Sequence, residues 1–264
     1  MKIYQVDAFT KRLFHGNPAA VVPMEAFPDD TALQAIAAEN NLAETAFFIP
    51  RGSGDANFHL RWFTPEVEVD LCGHATLAAA HVLWTEMGFE KEKIVFDGRS
   101  GLLTVSKDAE GRVELDFPAK PGEAVEITST VVRALGREPV EMYRSDDLMC
   151  VFDNKRQVHE LAPDFALLAG IEARGVIATA PGAGHDFVSR FFAPAVGINE
   201  DAVTGSAHCT LTPYWATKLG RDNLTAHQIS KRGGELWCTN DRERGRVKIS
   251  GNAVTYLRGE IHLS

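Results

Sequence analysis

The sequence predicts an α+β fold of two pseudo-symmetric lobes, each a strand-rich shell wrapped on one central helix. Three observations predict it. Short β-forming runs outnumber helical ones, a composite motif occurs twice in the same order, and a Pro/Gly-containing stretch (AKPGEAVEIT, 119–128) separates the copies.

Taken in order, residues 2–9, 45–49, 57–64, 93–97, 101–106 and 112–117 alternate or run apolar and are rich in β-formers, so they read as strands. A helix follows Pro28, with Asp29 and Asp30 at its start, Leu33, Ile36 and Ala37 on its apolar face, and Asn40–Asn41 as its stop. A second helix opens at Gly73 and ends before Gly88, and a third spans about 129–135 and stops at Gly136. A short fourth lies between Pro163 and Gly170, and the last runs from Gly205 to Lys218 with Gly220 beyond. Turn-punctuated strands complete the chain at 225–230, 234–239, 246–250, 253–258 and 260–263. The predicted lobes are 1–118, completed by a C-terminal strand at about 255–264, and 119–254.

The repeat carries the most information. Arg61-Trp62-Phe63-Thr64-Pro65 returns as Arg190-Phe191-Phe192-Ala193-Pro194. An acidic loop follows each copy, then Gly-X-Ala opening a helix: Gly73-His74-Ala75 and Gly205-Ser206-Ala207. Trp84 and Trp215 lie about three turns into the two helices, and the second copy is three residues longer between proline and glycine. Pseudo-twofold lobes would bring the glycine-led helix ends face to face across a cleft. Their N–H groups and positive dipole ends would suit a carboxylate or phosphate without any arginine.

Composition narrows the function. In 264 residues, 45% hydrophobic and 24% charged content is ordinary for a soluble globular protein. A net charge of −9 argues against a nucleic-acid partner. The 4 cysteines show no CxxC pair or framework spacing, which fits reduced thiols. MKIYQVDAFTKRLFHGNP has no apolar run of signal-peptide length, and no later segment approaches a membrane span, so the expected location is cytoplasmic, with no membrane partner.

VDLCGHATLAAAHVLW (69–84) admits three chemistries. A zinc site would draw on Cys72, His74, His208 and Cys209, but Cys-Gly-His and His-Cys are not usual ligand spacings. A thiol base at Cys72, with its pKa lowered by the helix end, would need a partner before Gly205, where Thr204 stands. The third option is an anion-binding helix end with a bystander thiol. Acidic candidates are Glu44, expected to be partly desolvated among Leu42, Phe47 and Phe48, and Asp201. Each has a plain alternative: a solvated loop residue for Glu44 and a loop brace for Asp201. His74 can equally be a structural core histidine, and Asn17, in HGNPAAVV, a turn former.

The ordered set DAFT…GNPAAVV, NNLAETAFF, FTPEVEVDLCGHATLA, RFFAPAVGINEDAVTGSAHC and ISGNAVTYLRGEIHL resembles the PhzF family, the phenazine-biosynthesis isomerase and its relatives, nearly from end to end. The resemblance implies a diaminopimelate epimerase-like fold, two lobes each with a β-barrel-like sheet around a central helix and the active site in the cleft between them. It also implies a homodimer with no metal and no cofactor. By the same resemblance, Glu44 matches the glutamate that moves a proton between ring carbons of dihydro-hydroxyanthranilate, and Asn17, Gly73, His74, Asp201, Gly205 and Ser206 match the cleft residues. Two departures stand out: Ala43 replaces a serine of the phenazine enzyme, and Cys72 makes a Cys-Gly-His similar to the first catalytic motif of proline racemases and hydroxyproline epimerases.

The expectation is therefore a cofactor-independent isomerase acting by proton transfer on a small carboxylate-bearing substrate. Glu44, His74 and Asp201 would be catalytic, and Asn17, Gly73, Gly205 and Ser206 substrate-binding; Cys72 and Thr204 are further candidates. The alternatives are a one-cysteine racemase, epimerase or dehydratase using Cys72, and a non-catalytic small-acid binding protein.

Overall fold

Runs of Val, Ile, Phe and Ala become strands because each has alternate side chains to bury. In the computed structural model, which describes residues 1–52 and 54–263, the chain divides into two units: Met1–Asp116 with Ser250–Ser264, and Phe117–Ile249. The first contains β1 (Lys2–Ala8), β2 (Asn17–Pro23), α1 (Asp30–Asn40), β3 (Glu44–Pro50), β4 (Phe58–Phe63), β5 (Glu68–Val69), α2 (Gly73–Thr85), β6 (Lys93–Gly98) and β7 (Gly101–Lys107), then β8 (Val113–Pro118) at its end. The second contains β9 (Glu123–Ala124), α3 (Ser129–Leu135), β10 (Glu141–Arg144), β11 (Leu148–Val151), α4 (Lys155–His159), α5 (Phe165–Ala169), β12 (Val176–Pro181) and β13 (Phe187–Ala193). It continues through β14 (Ile198–Asp201), α6 (His208–Leu219), β15 (Asn223–Gln228), β16 (Gly234–Asp241) and β17 (Arg246–Gly251); β18 (Ala253–Glu260) returns to the first unit and lies antiparallel to β1.

The two units repeat one pairing order. In the first, β1–β2 is antiparallel, β2–β3 parallel, β3–β4 and β4–β5 antiparallel, β4–β6 parallel and β6–β7 antiparallel. In the second, β10–β11, β11–β12, β12–β13, β13–β14, β13–β15 and β15–β16 run through the same sequence of senses. The repeated arginine has one job in both copies. Arg61 grips Glu68 with two bonds, 2.8 and 2.7 Å, and lies over Phe63; Arg190 grips Glu200 at 2.7 and 2.9 Å and lies over Phe192. Each clamp ties the strand to the short acidic strand that leads toward the motif helix.

The alanine-rich α2 is apolar almost all round, and it is buried on most sides against β1, β2, β3 and β18. The second-unit helix α6 packs on β15 and β16 and carries Pro213 in its interior. Proline has no N–H for the Cys209 carbonyl four residues back, and that oxygen instead accepts from the Lys120 amide at 2.9 Å.

Several elements depart from the sequence expectation. The last helix begins at His208; Gly205–Ala207 form a tight turn whose carbonyls accept at i+3, as in His208 N–H to Gly205 O at 3.0 Å. Strand β2 covers a stretch read as a turn, because Asn17-Pro18 at its start mimics turn chemistry. The strands β5, β9, β10, β11 and β14 and the single-turn α4 are too short for a periodic signal, and β12 and β13, buried on both faces, lack the alternation that marks a half-buried strand. The expected 260–263 strand is absent among the described residues, where β18 ends at Glu260; Ser264 lies outside them. Trp215 is buried, whereas Trp84 is only partly so.

Candidate active site

Two strands, a helix and its N-cap residue deliver the first cluster. Glu44 opens β3 beside Ala19 of β2, so it is not a solvated loop residue; its side chain is 14% exposed. Its Oε2 lies 3.2 Å from Nε2 of His74, the second residue of α2. On the other side of the ring, Nδ1 faces Nδ2 of buried Asn17 at 3.3 Å and Sγ of Cys72 at 3.5 Å. Asn17 reaches this place through Gly16, whose φ of +66° and closeness to Ala8 O (2.1 Å from where a Cβ would stand) admit only glycine.

Burial pushes the His74 pKa down to about 3, so its imidazole is neutral near pH 7 and the contact with Glu44 is not an ion pair of fixed charges. Because the Asn17 amide presents N–H to Nδ1, that nitrogen accepts. The single ring proton then sits on Nε2, which approaches the Glu44 carboxylate to 3.2 Å without the alignment of a hydrogen bond. Such a pair can orient a carboxylate while leaving it basic.

The thiol, imidazole and carboxylate donor atoms lie within 4.8 Å of one another, and their chemistry would suit a transition metal. Their order does not. The ring stands between Sγ and Oε2, with a different nitrogen toward each, whereas one ion takes one nitrogen. The arrangement fits proton handling better than metal binding.

At the second motif, Asp201 ends β14 and accepts from the Thr204 hydroxyl at 2.6 Å. Gln228, fully buried on β15, holds this loop: its Nε2 donates to Asp201 O at 3.0 Å and to Thr204 Oγ1 at 3.2 Å, and its Oε1 accepts from the Thr204 amide at 2.8 Å. Ser206 accepts at 3.1 Å from Nη2 of Arg174, which also grips buried Asp147. The sequence reading named neither Gln228 nor Arg174, since neither belongs to a motif. Of the metal candidates here, burial pushes the Cys209 thiol up to about 12, and buried His208 turns Nδ1 to Thr204 O at 2.8 Å.

The two motif helices also differ from the rest in their caps. Cys72 and Ala207, at the N-cap positions of α2 and α6, make no side-chain cap bond. Among the described residues, the other α-helices are capped by Asp29, Thr128, Asn154 and Asp164. At α2 such first-turn amides are donors for an anion, whereas at α6 the His208, Cys209 and Thr210 amides already donate to Gly205, Ser206 and Ala207.

A family model described as phenazine biosynthesis-like protein (PhzC-PhzF) matches residues 6–259. The chain belongs to the PhzF family. It is 50% identical over 265 residues to a protein of Pseudomonas aeruginosa named as an uncharacterized isomerase, covering 100% of this chain and 99% of that one. A crystal structure of a PhzF-family protein from Enterococcus faecalis superposes with a TM-score of 0.95 at 44% identity, over 99% of both chains. A hydroxyproline epimerase from Agrobacterium vitis shares the fold at a TM-score of 0.63 and 12% identity, over 98% of this chain and 91% of that one. The epimerase-like α+β architecture of two similar lobes therefore holds for this PhzF-family member, as the duplicated pairing order requires.

Proposed function

We propose that this protein is a cofactor-independent isomerase that transfers a proton between carbons of a small carboxylate-bearing substrate, resembling trans-2,3-dihydro-3-hydroxyanthranilate isomerase. The observation that carries it is the 3.2 Å contact between Glu44 and a neutral His74. Glu44 is the base and then the acid; the Nε2–H of His74 steers its carboxylate, and Asn17 holds the ring tautomer. Asp201, with Thr204 bonded to it, orients the substrate, and amides at Gly73–His74 and Gly205–Ser206 take the carboxylate. The family relative named as an isomerase supports the reaction class.

The test is incubation with trans-2,3-dihydro-3-hydroxyanthranilate in deuterated water, following isomerisation and C–H exchange by NMR. Glu44→Gln keeps shape but not basicity and should lose about two to four orders of magnitude in kcat. A carboxylate probe should still bind within about threefold, since binding and basicity are separate functions. Near-normal turnover by the glutamine variant would sink the assignment.

A second reading rests on Cys72 at a helix N-terminus, 3.5 Å from His74 Nδ1, as a thiol base in a racemase, epimerase or dehydratase. Its counterpart Thr204 is a poor second base, because that hydroxyl proton is committed to Asp201.

A further inference from the structure

We propose that Arg174 is a positioning residue that turns the Ser206 hydroxyl into a donor for the substrate carboxylate, an inference that rests on the proposed carboxylate-binding role of Ser206. Arg174 lies just ahead of β12, outside both motifs. Three features fix its guanidinium. Nε and Nη2 donate to the two oxygens of Asp147 at 2.9 and 2.5 Å, and Asp147 is 2% exposed. The guanidinium lies over the Phe191 ring, 5.6 Å from its centroid. Phe191 in turn rests on Gly175, where a Cβ would meet ring carbon Cζ at 2.3 Å, so the residue after Arg174 has no room for a side chain.

The consequence lies in proton bookkeeping at Ser206. Nη2 donates to Oγ at 3.1 Å, so the oxygen is an acceptor in that bond and its own proton points elsewhere. Among the described residues Oγ makes no other hydrogen bond. The hydroxyl is left as a directed donor at an uncapped helix start, polarised by the cation behind it. A lysine would supply charge without the planar fork that satisfies Asp147 and Ser206 together. The ion pair with Asp147 cancels most long-range attraction, so the effect runs through Ser206 and is specific to a ligand that accepts from it.

A double-mutant cycle reads this directly. Calorimetric affinity for anthranilate, and for anthranilamide as the uncharged control, is measured on the full-length protein and its variants. Ser206→Ala and Arg174→Met should each weaken anthranilate binding by about tenfold, the loss expected for one hydrogen bond to a charged group. The double variant should bind within about twofold of Ser206→Ala alone, because Arg174 acts through the hydroxyl already removed. Affinity for anthranilamide should move less than about threefold in any of them, since an amide gains less from a polarised donor. Arg174→Met strands the buried Asp147 carboxylate, so the paired variant Asp147→Asn/Arg174→Gln is measured beside it and should show the same loss. Additive losses, or unchanged anthranilate affinity in both Arg174 variants, would overturn the inference and leave the isomerase proposal standing. A wild-type protein that binds the two probes equally would remove the carboxylate-binding role of Ser206, and this inference with it.

Discussion

Around the start of α2 stand Glu44, His74, Asn17 and Cys72, a carboxylate, an imidazole, an amide and a thiol, three of them able to gain or lose a proton. Ahead of α6, at the equivalent place in the repeat, stand Asp201, Thr204, Gln228, Ser206 and the Arg174–Asp147 pair, joined by hydrogen bonds whose donors and acceptors are almost all fixed. The scaffold beneath is the same: a phenylalanine-flanked arginine, its glutamate and an uncapped helix. Duplication has kept the backbone device, and the side chains in front of it have diverged. Our proposal is that one end moves the proton and the other holds the substrate still.

If so, substitutions at the first end should fall on kcat and those at the second on binding. After Glu44→Gln, the largest effect should come from His74→Asn, which removes the N–H facing the carboxylate. We expect about a hundredfold lower kcat, the usual scale for a group acting on the catalytic acid–base pair, with anthranilate affinity changed by less than about threefold. Equal losses in both quantities would erase the contrast between the ends.

Both ends share a buried neutral histidine. Burial holds His74 at about 3, and burial, partly offset by the Thr204 carbonyl, holds His208 at about 4. Unfolding returns each to about 6.5. Between those values the unfolded chain binds more protons, so stability is full above about pH 6.5 and falls as pH drops toward 4, by on the order of 1 kcal/mol per pH unit for each histidine. Urea midpoints between pH 7 and 5 should show the decline. His208→Gln should flatten it even if the variant is weaker at pH 7; an unchanged slope would mean that carboxylates, not this histidine, set the acid limit.

Much of this was legible in the residues. The doubled Arg-aromatic-Phe-X-Pro and Gly-X-Ala motifs mark the two scaffolds, and the helix limits at Asp29, Asn41, Gly136 and Gly170 follow from cap and stop chemistry that acts locally. What stayed hidden is long-range. Gln228 and Arg174 sit in segments with no motif, and their partners lie 24 to 32 residues away in the chain. The start of α6 departs from the sequence expectation because Gly205-Ser206-Ala207 matches the α2 opening in sequence but winds with i+3 bonds. Strands of four residues, such as β10 and β11, show too few alternations to be recognised.

The smallest effect should come from the residue that looks most reactive. Cys72 touches His74 only at Nδ1, and there the Asn17 amide also stands, at 3.3 Å against 3.5 Å for the thiol. Removing the sulfur leaves Nδ1 with a donor, so the ring proton stays on Nε2 and Glu44 keeps its partner. The repeat provides no second thiol, since Thr204 fills that place and is tied to Asp201. Cys72→Ala should therefore keep at least about a tenth of wild-type turnover, a barrier change below about 1.4 kcal/mol. Replacing Asn17 by alanine in that background removes the remaining donor, frees the tautomer, and should cost at least about tenfold more than the sum of the single losses. A collapse by three or more orders of magnitude, on the scale of losing a catalytic base, in Cys72→Ala alone would make the thiol the base. The first helix end would then be a racemase-like site.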